Sequence, residues 1–244
     1  MTGGASGLGR ATAIDLASHG NIVVIGDVTQ DAGREAVEQI EAGGGQGAYL
    51  PLDVTNRDSV RDFVAQVVSR YGRLDCAVNN AGVEGQRTKL ADYPDEEWQR
   101  VIDINLTGVF TCMKHELAVM EKQGSGSIVN VGSTGSLRGI GLMSAYIASK
   151  HALLGLTRTA ALEYAARNIR INVLCPGGFR TPMSDRLYKG DFSGIVSGTP
   201  MGRMAPAEEI APVITWLCSD EASFVTGAAY QVDGGRMAGP VLPS

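Results

Sequence analysis

The chain has 244 residues, a formal net charge of −5 and no block rich in lysine or arginine. This length supports one well-packed core, and a negative chain without a basic patch is not expected to bind nucleic acid. We find neither a charged-then-apolar leader nor an apolar run long enough to span a bilayer. The sequence therefore predicts a cytoplasmic protein that does not associate with membranes.

The cysteines and histidines are scattered and show no metal-ligand spacing. The histidines are His19, His115 and His151, and no close pair occurs among the four cysteines. Cys76 and Cys175 lie in apolar runs, so we interpret them as small core residues. We expect no metal site.

Short β-branched runs alternate with longer segments of helical periodicity. The predicted strands cover residues 22–25, 49–54, 74–78, 127–131, 169–174 and 228–232. The predicted helices cover residues 9–18, 31–41, 59–71, 96–121, 145–166 and 207–219. Apolar strands separated by helices predict a parallel, doubly wound α/β/α sheet that binds ligands beyond the carboxyl ends of its strands.

We predict one domain over residues 1–244, with a substrate-binding loop at about 181–206. That stretch is the least patterned of the chain and is rich in Gly, Ser, Pro and Met. A loop of this length in a compact domain is usually functional, although a disordered insertion is the alternative.

A glycine-rich loop opens the chain ahead of a predicted helix. Glycines at 3, 4, 7 and 9 allow close approach to a pyrophosphate, whose charge is attracted by free N–H groups at a helix start. Asp27 ends the next strand, 18 residues after Gly9.

A carboxylate at Asp27 can bind both hydroxyls of the adenosine ribose of a dinucleotide, and it repels the 2′-phosphate that distinguishes NADP. Ser6 offers no basic side chain for that phosphate, so NAD is predicted over NADP. A turn or helix-capping role is the alternative for Asp27.

Two later strand ends carry residues of the same predicted site. Asp53 is placed to reach an adenine amino group, with Val54 beside it. Asn79-Asn80-Ala81-Gly82 follows the next strand, where small residues let a cofactor pass close to the backbone.

Tyr146 and Lys150 are four residues apart in a predicted helix and share one face. A nearby ammonium favours the phenolate, which would make Tyr146 an acid–base group.

Ser133 follows a strand, 13 residues before Tyr146, and its hydroxyl could donate to a substrate oxygen. A Ser/Thr turn is the alternative. Asn105 interrupts an apolar helix and requires polar partners, of which a proton-relay water is one candidate.

With these residues assembled, residues 2–235 closely resemble the short-chain dehydrogenase/reductase family, whose compact members are single Rossmann-type domains. The family's cofactor loop matches Thr2 to Gly9, and its Asn-Asn-Ala-Gly element matches residues 79–82. Its catalytic tetrad falls on Asn105, Ser133, Tyr146 and Lys150. Pro176-Gly177 and Thr181 resemble the segment that holds the nicotinamide. The cofactor-binding set that this resemblance implies is Gly3, Ser6, Gly7, Leu8, Gly9, Asp27, Asp53, Val54, Asn80, Ala81, Gly82, Tyr146, Lys150, Pro176, Gly177, Phe179 and Thr181.

The resemblance implies NAD-dependent interconversion of a secondary alcohol and a ketone. Tyr146 takes the hydroxyl proton, Ser133 polarises the substrate oxygen, Lys150 binds the nicotinamide ribose and lowers the tyrosine pKa, and Asn105 holds a relay water. The family commonly forms tetramers through the helices corresponding to 96–121 and 145–166, so a homotetramer or dimer is expected. An apolar substrate wall is expected from Phe179, Met183, Tyr188, Phe192 and Ile195.

The sequence departs from the family at its start. Members carry an apolar strand directly before the cofactor loop, whereas only Met1 precedes Thr2 here. Without that central strand, two neighbours would keep unpaired edges beside an apolar trench. We expect the true start to lie upstream, with a valine codon read as the initiator. A truncated, poorly folded product is the alternative.

Three other functions remain open from the sequence. A 3-oxoacyl thioester reductase is the leading competitor, although such enzymes often prefer NADPH, which Asp27 disfavours. A non-catalytic dinucleotide-binding regulator would not need the four tetrad residues. A sugar-nucleotide epimerase or dehydratase would usually need more chain after Thr181.

Overall fold

A computed structural model describes residues 1–239. The strands are β1 Ile22–Asp27, β2 Gln46–Pro51, β3 Cys76–Asn79, β4 Gly126–Val131, β5 Ile169–Pro176 and β6 Ala229–Val232. The helices are α1 Gly7–Ser18, α2 Gln30–Ala42, α3 Arg57–Tyr71, α4 Asp95–Ile102, α5 Gly108–Gln123, α6 Ser144–Tyr164, α7 Pro182–Tyr188, α8 Ser193–Val196 and α9 Ala211–Cys218. Strands and helices alternate along most of the chain, as the sequence predicts.

Every paired strand of the sheet is parallel. β1 pairs with β2, while β3, β4, β5 and β6 follow one another in spatial order. The register is set by pairs such as Val78 with Val129 and Asn130 with Val173. Parallel strands direct their carboxyl ends to one edge, so Asp27, Asn79 and Val131 end on the same side. The doubly wound fold predicted from the sequence is confirmed.

The first three residues occupy the gap between β1 and β3. Thr2 bridges Gly26 on one side and Asn79 on the other, and its N–H donates to the Val78 carbonyl at 3.0 Å. The Met1 ammonium donates to the Val24 carbonyl at 2.6 Å. Beyond Met1, the gap opens into a groove of about 320 Å³ between the two strands. The predicted trench is present, and residues 1–3 close its carboxyl end.

Helices cover both faces of this sheet. α1 packs against α2 and α9 on one face, and α3 packs against α5 on the other, where α6 covers β5. The first core contains Ile25, Val129 and Leu174, all almost fully buried between the sheet and α1, α2 and α9. A second core under α5 and α6 contains Ile128 and Ile171. Burial of these apolar side chains is the main favourable contribution to folding.

Two predicted helices are interrupted in the structure. The helix predicted over 96–121 consists of α4 and α5, joined by a π-helical turn at Asp103–Thr107. The helix predicted over 207–219 begins as a short 3₁₀ turn at Ala207–Glu209, and α9 follows with proline in its first turn. Proline lacks the N–H that an unbroken helix would need there.

Two strand boundaries also differ from the prediction. The strand predicted over 49–54 is β2 and ends at Pro51, because the Asp53 carboxylate forms a turn with the Thr55 N–H at 2.9 Å. The strand predicted over 74–78 begins at Cys76. The Leu74 N–H donates to the side-chain oxygen of Gln123, and the Gln123 amide donates back to the Leu74 carbonyl, so Leu74 does not pair with a strand. The predicted loop at 181–206 contains α7 and α8. Within residues 1–239, no helix is both long and apolar enough to cross a membrane.

Candidate active site

A cavity of about 720 Å³ lies beyond the carboxyl ends of the strands. Among the predicted catalytic and cofactor-binding residues, only Gly9 and Asn105 are absent from the lining formed by the described chain. The cavity therefore joins the glycine-rich loop, the three strand ends and the Ser133–Tyr146–Lys150 group in one space. This position is where doubly wound sheets bind ligands.

The glycine-rich loop requires its glycines for backbone shape and for space. Gly3 and Gly7 have φ angles of +63° and +52°, a region that favours glycine. A Cβ on Gly9 would lie 2.0 Å from the Gly3 carbonyl oxygen, so Gly9 shapes the loop from behind the cavity. The Ser6 side chain accepts no hydrogen bond from the described backbone at the start of α1. The first-turn N–H groups thus remain suited to a pyrophosphate.

Asp27 combines the two roles considered for it. Its carboxylate accepts hydrogen bonds from the N–H groups of Ala5 at 3.1 Å and Thr29 at 3.0 Å, and it also lines the cavity. The first bond ties the end of β1 to the glycine-rich loop. Asp53 behaves similarly, accepting from Thr55 while lining the same cavity. Both carboxylates are therefore fixed in position on the wall of the cavity.

The Asn79-Asn80 element holds the loop from the neighbouring strand. The Asn80 amide donates to the Gly3 carbonyl at 2.8 Å, and the Thr2 hydroxyl accepts from the Asn80 and Ala81 N–H groups, each at 3.1 Å. This role of Thr2 has no separate signal in the sequence. These bonds attach the glycine-rich loop to the end of β3. The residues that line the cavity beside this loop fit a nicotinamide dinucleotide.

Ser133, Tyr146 and Lys150 line the other end of the cavity. Ser133 follows β4, and its hydroxyl accepts from the Gly135 N–H at 3.0 Å, which is the Ser/Thr turn considered as the alternative. The Lys150 ammonium donates to the Val131 carbonyl at 2.7 Å and lies 5.8 Å from the centre of the Tyr146 ring. The three side chains thus converge on one point at the end of β4.

Burial dominates the acid–base behaviour of this group. Desolvation raises the pKa of the Tyr146 phenol, and a hydrogen bond with Ser133 opposes that rise. Desolvation also lowers the pKa of Lys150 from 10.5 to about 8. The expected fall in the tyrosine pKa is therefore not a property of the protein groups alone, because removal from water outweighs the nearby charges.

Asn105 is fully buried in the π-helical turn, outside the cavity lining. Its side-chain oxygen accepts from the Val83 N–H at 2.8 Å, and its side-chain nitrogen donates to the Val83 carbonyl at 2.8 Å and to the Ser149 hydroxyl at 3.3 Å. The polar partners that the sequence required are thus protein groups, and they hold the segment after Gly82. π-Helical turns inside α-helices frequently occur at functional sites.

The substrate side of the cavity is built largely by α7. Thr181 caps that helix, accepting from the Ser184 N–H at 3.1 Å. The predicted wall residues Phe179, Met183, Tyr188 and Ile195 line the cavity. Phe192 is not among the described lining residues; its ring instead packs 6.2 Å from that of Tyr188.

Several lining residues were not predicted from the sequence. Arg186 forms a two-pronged ion pair with Glu84, at 2.9 and 3.2 Å, which joins α7 to the segment after β3. Arg138 and Arg236 also line the cavity. Their only sequence signal is a charged residue within glycine-rich stretches, which is too weak to assign a site.

A buried carboxyl group lies in the groove between β1 and β3. Glu116 accepts from the Asn79 amide at 3.0 Å, and burial raises its pKa from 4.5 to about 7. The Asn79 amide also donates to Asn130, whose amide donates to Thr157 at 3.0 Å. This chain of bonds satisfies the amide N–H groups of Asn79 and Asn130, whereas the buried Asn79 Oδ1 has no partner among the described residues.

Comparisons with known proteins agree with this geometry. A family model described as enoyl-(acyl carrier protein) reductase matches residues 3–236. Cyclohexanol dehydrogenase of Acinetobacter sp. is 41% identical over 96% of this chain and 92% of its own length. Cis-4-hydroxycyclohexanecarboxylate dehydrogenase of Sinomonas cyclohexanicum is 42% identical over 98% of this chain and 95% of its own length.

Two further comparisons concern a reductase and a solved structure. A 3-oxoacyl-[acyl-carrier-protein] reductase of Thermotoga maritima is 40% identical over 96% of this chain and 95% of its own length. The crystal structure of levodione reductase has a TM-score of 0.95 and 37% identity over 97% of this chain and 96% of that chain. The chain belongs to the short-chain dehydrogenase/reductase family and is an oxidoreductase of the kind that uses a nicotinamide dinucleotide.

Proposed function

We propose that the protein is an NAD-dependent dehydrogenase that interconverts a secondary alcohol and a ketone. One observation carries this proposal: the glycine-rich loop with Asp27 and the Ser133–Tyr146–Lys150 group line the same cavity. A bound nicotinamide would supply hydride acceptance and donation at the end where Tyr146 lies. Relatives named for cyclohexanol and for a hydroxycyclohexanecarboxylate support a secondary alcohol on a small ring as the substrate class.

The chain's own residues divide the proton chemistry between them. In oxidation, Tyr146 removes the hydroxyl proton of the substrate and Ser133 donates a hydrogen bond to the same oxygen. Lys150 is held by the Val131 carbonyl, so its ammonium stays near the phenol. With the cofactor bound, the same ammonium would hold the nicotinamide ribose. Asn105 acts as a positioning residue, because its amide fixes the segment after Gly82 through the Val83 N–H and carbonyl. Reduction reverses each step.

Asp27 supports NAD as the cofactor. Its carboxylate is held by two backbone N–H groups and faces the cavity, where it would accept from ribose hydroxyls and repel a 2′-phosphate. The cofactor-binding residues proposed with it are Gly3, Ser6, Gly7, Leu8, Gly9, Asp53, Val54, Asn80, Ala81, Gly82, Tyr146, Lys150, Pro176, Gly177, Phe179 and Thr181.

A 3-oxoacyl thioester reductase is the second candidate. The relative of that name from Thermotoga maritima supports this candidate, because its sequence is 40% identical to this chain and that of the cyclohexanol dehydrogenase is 41% identical. Both candidates use the same ketone chemistry and differ in the group attached to the reacting carbon. The non-catalytic regulator is disfavoured, because its binding function would give no reason to place Ser133, Tyr146 and Lys150 together.

We propose a single domain over residues 1–244 that assembles as a homotetramer or dimer. The last five residues lie outside the described range. Phe110 on α5 and Leu162 on α6 are 50% and 86% exposed, so the two helices predicted to form the interface each present a large apolar side chain. Covering such side chains is favourable, which supports pairing through these helices.

The test is to follow nicotinamide absorbance with NAD and with NADP against secondary alcohols, cyclic diols and a 3-oxoacyl thioester. We expect turnover with NAD and a cyclic secondary alcohol. Turnover confined to the thioester would support the second candidate. No turnover in either direction, with either cofactor, would contradict the enzyme assignment.

A further inference from the structure

The arginines that line the cavity differ in whether a carboxylate neutralises them. These are Arg100, Arg138, Arg186 and Arg236. The Arg100 guanidinium lies 2.8 Å from a Glu97 carboxylate oxygen, and that of Arg186 lies 2.9 Å from Glu84. In residues 1–239, neither Arg138 nor Arg236 forms an ion pair with a carboxylate. Two of the four guanidinium groups therefore have no carboxylate at ion-pair distance, although the Asp233 carboxylate acts on Arg236 electrostatically.

These two arginines are also incompletely hydrogen-bonded. The Arg138 Nε is buried and has no hydrogen-bond partner among the described residues. Arg236 Nη1 donates to the Ile195 carbonyl at 2.7 Å and is 3.4 Å from the Thr199 hydroxyl. A buried donor without a partner is costly, so a ligand that accepts from Arg138 would recover that loss.

The two guanidinium groups act on each other. Burial lowers the pKa of Arg236, and the positive charge of Arg138 lowers it further. Tyr188 influences the pKa of both Arg236 and Tyr146 electrostatically. Arg138 follows Ser133 by five residues, and the Arg236 side chain is bonded to Ile195, another lining residue, so both arginines lie toward the end of the cavity that holds Tyr146.

This end is remote from the predicted ribose-binding carboxylate. Asp27 ends β1, whereas Ser133 follows β4, and the segment at Thr2 and β3 lie between those strands. Three strand spacings separate them by roughly 14 Å. A phosphate attached to the adenosine ribose would lie near Asp27, so the positive charge at Arg138 and Arg236 serves the substrate side.

We propose that Arg138 and Arg236 bind a carboxylate group of the substrate, so that this enzyme acts on a small hydroxy or oxo carboxylic acid. The inference rests on the proposed function and names the substrate class of the same site. Guanidinium groups form short, charge-assisted and often two-pronged hydrogen bonds with carboxylates. The carboxylate stays unchanged, while the alcohol carbon loses its hydride to the oxidised nicotinamide and its hydroxyl proton to Tyr146.

The decisive experiment measures binding without turnover. The probes are cyclohexanecarboxylate and cyclohexanecarboxamide, which match in shape. Each is titrated into the complex of the protein with NAD, and its affinity is measured by calorimetry. We expect the carboxylate to bind at least about tenfold tighter, since hydrogen bonds to charged groups contribute that much or more. Arg138→Gln and Arg236→Gln should each abolish most of that preference, whereas Arg167→Gln, on an exposed arginine outside the lining, should retain it.

NAD binding by each variant shows that it is folded, so a lost preference reports on the arginine itself. Equal binding of carboxylate and carboxamide by the unchanged protein would overturn the proposal, as would a preference that survives both substitutions. A second measurement compares kcat/KM for cis-4-hydroxycyclohexanecarboxylate and its methyl ester, with the free acid expected to be preferred. Absence of turnover together with a clear carboxylate preference would contradict the dehydrogenase and leave the anion site supported.

Discussion

The Lys150 ammonium lies 5.8 Å from the centre of the Tyr146 ring while donating to the Val131 carbonyl at 2.7 Å. This contact with the end of β4 fixes the lysine in position. Lys150 is only 4% exposed, and burial lowers its pKa to about 8. The ammonium is therefore a nearby positive charge at neutral pH that is lost as the pH rises past 8.

Replacing Lys150 by methionine should slow alcohol oxidation by about 100-fold or more at neutral pH, because an unassisted buried phenol is a poor base. The pH at which kcat/KM is half-maximal should also move upward, since removing a positive charge disfavours the phenolate. A pH–rate profile for both proteins measures this. Lys122→Met, an exposed lysine at the end of α5, is the control. An unchanged profile in the Lys150 variant would remove it from the proton chemistry.

Asp27→Asn should reduce the preference for NAD over NADP by about tenfold or more. Asparagine keeps an acceptor for only one of the Ala5 and Thr29 N–H groups, because its second terminal atom is a donor, and it removes the charge that repels a 2′-phosphate. The measurement is the ratio of kcat/KM for the two cofactors with one alcohol. If that ratio is unchanged, Asp27 serves only to hold the loop.

Glu116→Gln should stabilise the protein increasingly as the pH rises. The pKa of Glu116 is 4.5 in a model peptide and about 7 in the folded chain, so the folded state binds the extra proton between these values. Folding stability contributed by this group is present below pH 4.5 and is lost as the pH rises through 7. Glutamine does not titrate, keeps an acceptor for Asn79 and avoids this loss.

The largest effect expected from that titration is about 3 kcal/mol above pH 7, or several degrees in Tm. Two contacts oppose the rise in the Glu116 pKa that burial causes: Asn79 donates a hydrogen bond to the carboxylate, and the Met1 ammonium attracts its negative charge. Melting curves of both proteins from about pH 5 to about pH 8 measure the difference. A difference in Tm that stays constant with pH would contradict a raised Glu116 pKa in this range.

Patterns confined to one element were predictable from the sequence, and those that depend on packing were not. Apolar runs located the strands, and the offsets from Gly9 to Asp27 and from Ser133 to Tyr146 placed the site. The π-helical turn around Asn105 depends on Val83, which is distant in sequence, so the periodicity of residues 96–121 did not predict it. The turn at Asp53 is a local side-chain bond to Thr55, which the apolar run of residues 49–54 does not reveal. The arginine pair likewise needs the fold to bring residues 138 and 236 together.

An added strand should stabilise the chain through the groove between β1 and β3. The edges of both strands face this groove, and the buried Met1 ammonium has its pKa lowered by desolvation. Fusing five apolar β-forming residues before Met1 would replace that charge with a peptide bond and pair the strand edges. We expect Tm to rise by about 5 °C or more. A Gly/Ser extension of equal length is the control, and an equal Tm for both would contradict a strand-binding groove.

The most direct test of the account is hydride transfer in a single turnover by the unchanged protein and by Tyr146→Phe. Phenylalanine keeps the ring beside Lys150 but lacks the proton-transferring oxygen. We predict that NAD binding, measured by calorimetry, stays within about twofold, because the substitution removes only one oxygen atom from the cavity wall, while hydride transfer falls by at least about 100-fold. Retention of the wild-type rate by Tyr146→Phe would contradict the assignment of Tyr146 as the acid–base residue.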